Sequence, residues 1–293
     1  MEPESIHPGT TIGAVALTIT DIHRSVQFYQ DVIGLEIHRR EERTAYLGAG
    51  GKDLLILVED ASAQQPASRG MRFTGLYHLA ILVPSRLELA RTLRRLVESS
   101  WPLQGFANHG VSEAIYLADP DGNGIEIYRD YPRLQWPYRD GRLQMVSDPL
   151  DVRGVLAELE ADPAPAAGLH PDTLIGHIHL RVADIQASED FYCKLMGFDL
   201  VQRFGHSAGF VSAGGYHHHI GFNTWESAGA PPPPPDVVGL RHFTICLPDP
   251  VELARLAGRA QQAGLPLEEA QGGVLLHDPA CNGILLKSVL DTP

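Results

Sequence analysis

Four segments of this chain repeat one short phrase, and a chain built by internal repetition folds as copies of one unit. The phrases are GAVALTITD from Gly13, YHLAILVPS from Tyr77, GHIHLRVAD from Gly176 and RHFTICLPD from Arg241. Each leads into a helix-like stretch and then turn-rich strands. Seven residues before the closing polar residue of each phrase stand Ala14, His78, His177 and His242. Only some copies, therefore, carry a group able to bind a metal.

The spacing shows that the repeat is itself duplicated. Ala14 to His177 is 163 residues, His78 to His242 is 164, and the AGG at 49–51 recurs at 213–215. ADPDGNGIEIY from Ala118 has its counterpart in HDPACNGILLK from His277, so the second half has lost only a few loop residues. A module of about 50 residues buries too little surface to stand alone, so the modules must pair. The expected fold class is α+β, four βαβββ modules in two halves, 11–130 and 174–291, joined by a linker at 131–173.

Alternation within the phrases sets their faces. In the third, Ile178, Leu180 and Val182 point one way and His177, His179 and Arg181 the other, one face core and the other a potential site. DIHRSVQFYQDVIG and DIQASEDFYCKLMG read as amphipathic helices capped by Asp21 and Asp184 and stopped at Gly34 and Gly197. SRLELARTLRRLVESS and DPVELARLAGRAQQAG take that role in the second and fourth modules. The linker carries Pro132, Pro137, Pro149, Pro163, Pro165 and Pro171, with one short helix expected near 149–160. The proline run at 231–235 reads as a stiff polyproline spacer.

Charge narrows the partners. With 23 basic and 36 acidic side chains the net charge is −13, against a nucleic-acid surface and against anionic membranes, both of which call for clustered positive charge. The N-terminus lacks the basic start and apolar core of a signal peptide, and no apolar run approaches the roughly 20 residues that span a bilayer. Cys193, Cys246 and Cys281 form no CxxC pair and are expected as buried thiols in a reducing, cytoplasmic setting.

An isolated strand histidine is more often structural than a ligand, and the repeat changes that weighting. Pairing the second and third modules brings together His78, His177 and Glu126, two imidazoles and a carboxylate. That set, with open positions, is the facial triad suited to non-haem Fe(II) and oxygen chemistry. Other pairings fall short. The first and second modules give Ala14, His78 and Glu126; the third and fourth give His177, His242 and Leu285; the first and fourth leave His242 alone. The first and fourth are expected to form a site-free counterpart lined by Ala14, Leu54, His242 and Leu285, with His242 structural or vestigial.

Further polar groups fall in the same two modules. GGYHHHIGFN from Gly214 places His217, His218 and His219 where the first module has Asp53, Leu54 and Leu55. Read as a strand, it puts His218 on one face and His217 and His219 on the other. Tyr116, ten residues before Glu126, aligns with Leu275, and His109 in FANHGVSEAIY is a candidate proton-handling or substrate-contacting group.

Through GLYHLAILVP, VSEAIYLADPDGNGIEIY, IGHIHLRV and VSAGGYHHHIGFNTW, over about 12–289, the chain resembles the vicinal oxygen chelate superfamily. Within it, the likeness is to the two-domain extradiol ring-cleaving dioxygenases of the bacterial catechol 2,3-dioxygenase type. The resemblance implies two half-barrel domains and cleavage of a catechol-type diol by O2 at Fe(II), with Mn(II) as an alternative, giving a ring-opened semialdehyde. It implies His218 as the acid-base group and Tyr116 as a hydrogen-bond partner of a substrate oxygen, in a homo-oligomer. Many extradiol enzymes take all three ligands from the C-terminal half, which Leu285 rules out here, whereas hydroquinone-cleaving relatives recruit ligands across the halves. Two other functions of the same scaffold stay open. One is a glyoxalase-like lyase or thiol transferase, which needs a further carboxylate; the other is a non-catalytic protein that sequesters a drug or aromatic.

Overall fold

The computed structural model of the protein describes residues 4–65, 72–162 and 167–291. The expected βαβββ order occurs four times. The first copy comprises β1 (Thr11–Ile19), α1 (Ile22–Gln27), β2 (Glu36–Arg40), β3 (Thr44–Ala49) and β4 (Lys52–Glu59). The second comprises β5 (Gly75–Leu82), α2 (Arg86–Glu98), β6 (Leu103–Asn108), β7 (Ser112–Ala118) and β8 (Gly124–Asp130). The connector holds β9 (Tyr138–Arg139), β10 (Arg142–Leu143) and α3 (Val152–Ala161). The third copy is β11 (Leu174–Arg181), α4 (Ile185–Glu189), β12 (Asp199–Phe204), β13 (Ala208–Ser212) and β14 (Ile220–Asn223). The fourth is β15 (Gly239–Leu247), α5 (Pro250–Gln262), β16 (Glu268–Ala270), β17 (Gly273–His277) and β18 (Gly283–Ser288).

The closing residue of each repeated phrase is a helix N-cap. Asp21, Ser85, Asp184 and Asp249 accept from the backbone N–H of Arg24, Glu88, Ala187 and Glu252, so the phrase is a strand plus the start signal of the next helix. Two of the helices depart from expectation. Beyond α1 and α4 the chain widens to a π-helix over Phe28–Ile33 and Asp190–Leu195. Each widened turn carries a Phe-Tyr pair with rings edge to face at 5.0 Å, and the tyrosine is fully buried. The Tyr29 hydroxyl donates to Asp119 Oδ2 at 3.0 Å and that of Tyr192 to Asp278 Oδ2 at 2.9 Å. These are tertiary contacts that helical periodicity does not encode.

The same two aspartates explain the DPxxNG motif. Asp119 Oδ1 accepts from Asp121 and Asn123 N–H, and its Oδ2 from the Asn123 amide; Asp278 does the same with Ala280 and Asn282. The motif is thus a turn and an anchor rather than reaction machinery. Its fourth position has left-handed backbone, Gly122 at φ 85° in one copy and Cys281 at φ 64° in the other. That turn exposes Cys281, against the expectation of a buried thiol; Cys193 and Cys246 are partly covered, and all three are free. A side chain in this conformation costs about 1–2 kcal/mol, partly offset by the greater freedom of glycine in the unfolded chain. Cys281→Gly is therefore expected to stabilise the protein by about 1 kcal/mol, read as a higher urea midpoint at constant slope; an unchanged or lower midpoint contradicts it.

The strands form two mixed eight-stranded sheets, ordered β16-β17-β18-β15-β1-β4-β3-β2 and β12-β13-β14-β11-β5-β8-β7-β6. The first and fourth modules thus share one sheet, and the second and third share the other. Within modules the first and last strands run parallel, as β5 with β8 and β11 with β14, while the remaining pairs are antiparallel.

Two compact units are distinguishable. In the one made of Leu17–Ala63 and His78–Ile175, Arg86 and Arg129 both donate to the buried Glu113, and their charge holds its carboxyl below the usual carboxylate range despite burial. In the other, Met1–Ala16 with Gln64–Tyr77 and Gly176–Pro293, the N-terminal segment docks through Ile6 N–H to Gly197 O at 2.8 Å and His7 N–H to Glu252 Oε1 at 2.9 Å.

The connector is packed rather than loose. Trp136, Leu143, Met145, Leu150 and Val155 are buried, and Asp140 and Gly141 turn β9 into β10 with φ of 51° and 73°. The expected short helix is α3, capped by Asp151. Pro163 and Pro165 lie outside the described residues. The proline run lies outside helix and strand, with Pro231 O accepting from Thr74 N–H at 3.1 Å and Pro234 O from Val237 N–H at 3.2 Å. No helix among the described residues is long and apolar enough to cross a membrane.

Candidate metal centre

His78 stands on β5, Glu126 on β8 and His177 on β11, all in the second sheet. Each is buried, and one ligand atom from each lies within 4.8 Å of the other two. His78 Nε2 is 3.0 Å from Glu126 Oε2. Register accounts for the placement, since Ala80 pairs with Glu126 across β5 and β8, and Tyr116 pairs with Glu126 across β7 and β8.

The donor set fits a divalent metal. Burying a carboxylate and imidazoles costs several kcal/mol unless charge compensates, and a first-row cation held by two nitrogens and one oxygen supplies that compensation. Among the described residues this is the one group of three or more His, Cys, Asp or Glu side chains placed to hold an ion. The other sheet offers no such group among the described residues. There Leu275 pairs with Leu285 at the register where Tyr116 meets Glu126. The His-Glu-His cluster is a metal-binding triad.

The three adjacent histidines do not sit on a strand. The β13–β14 ladder ends at Val211 opposite Ile220, leaving His217, His218 and His219 in an irregular segment, so strand alternation does not sort their faces. Main-chain bonds persist at its end, from His219 N–H to Val211 O at 2.9 Å and from Ile178 N–H to His219 O at 3.1 Å, and side-chain bonds join them. His219 Nδ1 accepts from Ala213 N–H at 3.1 Å, and His217 Nδ1 and His218 Nδ1 are 2.9 Å apart. His218 is nearer to His177 than His217 is, with ring centroids 4.1 Å apart against 6.1 Å. Phe210 packs edge-on against His218 at 5.0 Å.

His109 Nε2 lies 2.6 Å from the Tyr116 hydroxyl, and the Tyr116 ring centroid is 5.7 Å from that of His78. Tyr116 borders the small buried cluster of Ala80, Ala114 and Tyr128. His179, two residues beyond His177 on β11, is buried, and the Asn223 amide meets its Nε2 at 2.9 Å. Rings of Tyr77, Phe210 and Trp225 surround it at 5.0, 5.7 and 5.6 Å. Alternation had placed His179 on the same face as His177, whereas the contribution of Phe210 and Trp225 was not read from the sequence.

His242 is buried away from the triad's sheet, on β15, and its Nε2 has no hydrogen-bond partner. Burial, helped by the like charge of Arg241, pushes its imidazole down to about 4. Unfolded, the ring takes a proton near its ordinary 6.5. Between those values the unfolded state binds more protons, so stability should fall as pH drops through the window, by at most about 3 kcal/mol. His242→Leu is expected to flatten the dependence of urea stability on pH from 6.5 to 4; an unaltered slope rules His242 out as its source.

Comparison with known proteins agrees with this geometry. The sequence model of the Glyoxalase/Bleomycin resistance protein/Dioxygenase superfamily matches residues 11–127 and 174–272. Catechol-2,3-dioxygenase of Bacillus subtilis (strain 168) is 46% identical over 278 residues, covering 94% of this chain and 96% of that one. Glutathione transferase FosA of Serratia marcescens is 23% identical over 120 residues, 40% of this chain and 79% of FosA. In fold, a Bacillus subtilis crystal structure superposes with a TM-score of 0.65 at 15% identity, covering 99% of this chain and 87% of that one. Glyoxalase I from Zea mays superposes at 0.54 with 13% identity, covering 95% and 92%. The chain belongs to the Glyoxalase/Bleomycin resistance protein/Dioxygenase superfamily, as a homologue of catechol-2,3-dioxygenase.

Proposed function

We propose that the chain is an Fe(II)-dependent extradiol dioxygenase that opens a catechol-type aromatic diol with O2 to a semialdehyde. The observation that carries this reading is the buried triad of His78, Glu126 and His177, joined to 46% identity with a catechol-2,3-dioxygenase over nearly the whole chain. These three side chains would hold the metal. When bound, it brings diol and dioxygen together and offsets the negative charge that develops on their oxygens.

The protein supplies orientation and proton handling. Tyr116 would hydrogen-bond a diol oxygen, backed by His109 at 2.6 Å. His218 would exchange a proton with the substrate at Nε2, since its Nδ1 faces His217 Nδ1 at 2.9 Å. An imidazole suits that task because its charge changes near neutral pH. Packing of Phe210 on His218 limits ring rotation and water access. The glyoxalase-like alternative needs another carboxylate near the metal; an imidazole, His218, with its ring centroid 4.1 Å from that of His177, speaks against it.

The same reading gives two halves, 11–130 and 174–291, about a linker at 131–173, supported by the two stretches of the superfamily match. It gives a homo-oligomeric, cytoplasmic enzyme, and three free cysteines support a reducing compartment. The test is anaerobic loading with Fe(II), followed by oxygen uptake and near-visible absorbance on adding catechols. Stoichiometric oxygen consumption with a ring-opened chromophore is expected. Absence of both across a panel of substituted catechols and hydroquinones, in protein that holds one iron per chain, would overturn the reading.

A further inference from the structure

The proline-rich connector reaches the candidate site. Asn108 and Asp148 exchange both backbone hydrogen bonds, at 2.8 and 2.9 Å, so residues 146–148 lie along the end of β6, a strand at the sheet's edge. Leu143 and Met145 are buried and anchor this strap. Next along, Val146 N–H donates to His109 O at 3.1 Å, and His109 Nδ1 approaches Val146 O at 2.8 Å. A main-chain carbonyl can only accept, so Nδ1 must carry a proton. In the neutral ring Nε2 is then an acceptor, and the Tyr116 hydroxyl, 2.6 Å away, donates to it.

We propose that the connector strap is a positioning element of the site: the Val146 carbonyl holds His109 in the Nδ1–H form and thereby aims the Tyr116 proton at His109 Nε2. Flipping the ring would put carbon atoms against both partners and lose both bonds. The functional consequence rests on the dioxygenase reading above. A diol hydroxyl that gives its proton to Tyr116 Oη sends the tyrosine's own proton to His109 Nε2. One substrate O–H bond breaks, one N–H bond forms, and the imidazolium keeps Val146 O as its second acceptor. Val146 touches no substrate; it acts through His109.

The tautomer can be read without turnover. In protein with 15N-labelled histidine and diamagnetic Zn(II) at the triad, long-range 1H–15N correlations distinguish Nδ1–H from Nε2–H, and His109→Gln assigns the signals. The expected pattern has Nδ1 protonated and Nε2 accepting; an Nε2–H tautomer at His109 overturns the proposal whether or not the protein cleaves rings. Val146→Pro removes the N–H that ties the strap to His109 O. It is expected to mix the two tautomers and to lower kcat about tenfold or more, with KM and iron content near parent values. Parent kcat and an unchanged tautomer in Val146→Pro would count against the strap. The spectrum of the unaltered protein decides the matter even if that variant does not fold.

Discussion

Alanine at Glu126 or at His177 is expected to strip the chain of its metal and to lower kcat/KM by about three orders of magnitude. A metal's stabilisation of transition-state charge is worth several kcal/mol, and each 1.36 kcal/mol is about tenfold. The loss should be similar for either variant, because a facial triad reduced to two ligands no longer holds the ion against water. Both residues are nearly inaccessible, and truncation leaves a buried cavity that water can enter. His78→Ala should behave alike. His242→Ala, on a strand of the other sheet, should keep metal and activity. Metal analysis after chelator-free purification, paired with oxygen uptake, separates the outcomes. Full iron occupancy in Glu126→Ala and His177→Ala would sink the assignment, and loss of iron in His242→Ala would relocate the site.

Much of this was legible because the repeat turns a weak signal into a strong one. A single strand histidine says little, but His78 and His177 at one repeat position, with Glu126 and Tyr116 replaced by Leu285 and Leu275 in the aligned strands, single out one pairing of modules. The sheet orders have that pairing. The caps were legible for a local reason: an Asp or Ser side chain reaches the N–H three residues on whatever the tertiary context. Elsewhere, local pattern gave way to long-range contact. The π-helical turns follow no periodicity, and each holds a tyrosine bound to an aspartate 90 or 86 residues away. The histidine run looked like a strand because its aligned partner is one, β4, yet the strand register stops at Ile220, and side-chain bonds join the last main-chain bonds of His219. The connector's role was hidden because its contact with His109 is made by a backbone carbonyl, which leaves no mark on residue type. Its hairpin could have been found, since Asp140-Gly141 is a strong signal for a tight turn with positive φ.

His218→Phe is expected to keep iron and catechol binding while slowing turnover by about 10²-fold, the usual share of a single acid-base group. Phenylalanine is chosen because the His218 ring lies against Phe210 and close to His177, so an aromatic replacement preserves packing and removes only the titrating nitrogens. The distinction from a ligand is direct. His218 is absent from the cluster whose atoms converge within 4.8 Å, so iron content should not change. In the acid-base role, kcat should fall while the spectrum of the anaerobic catechol complex persists, and the pH profile of kcat should lose a limb. If iron is lost instead, His218 is a ligand and the triad is incomplete as drawn. If turnover is normal, the proton passes to His217, whose Nδ1 is already 2.9 Å from that of His218; His219 is the weaker substitute, because its Nδ1 accepts from Ala213 N–H.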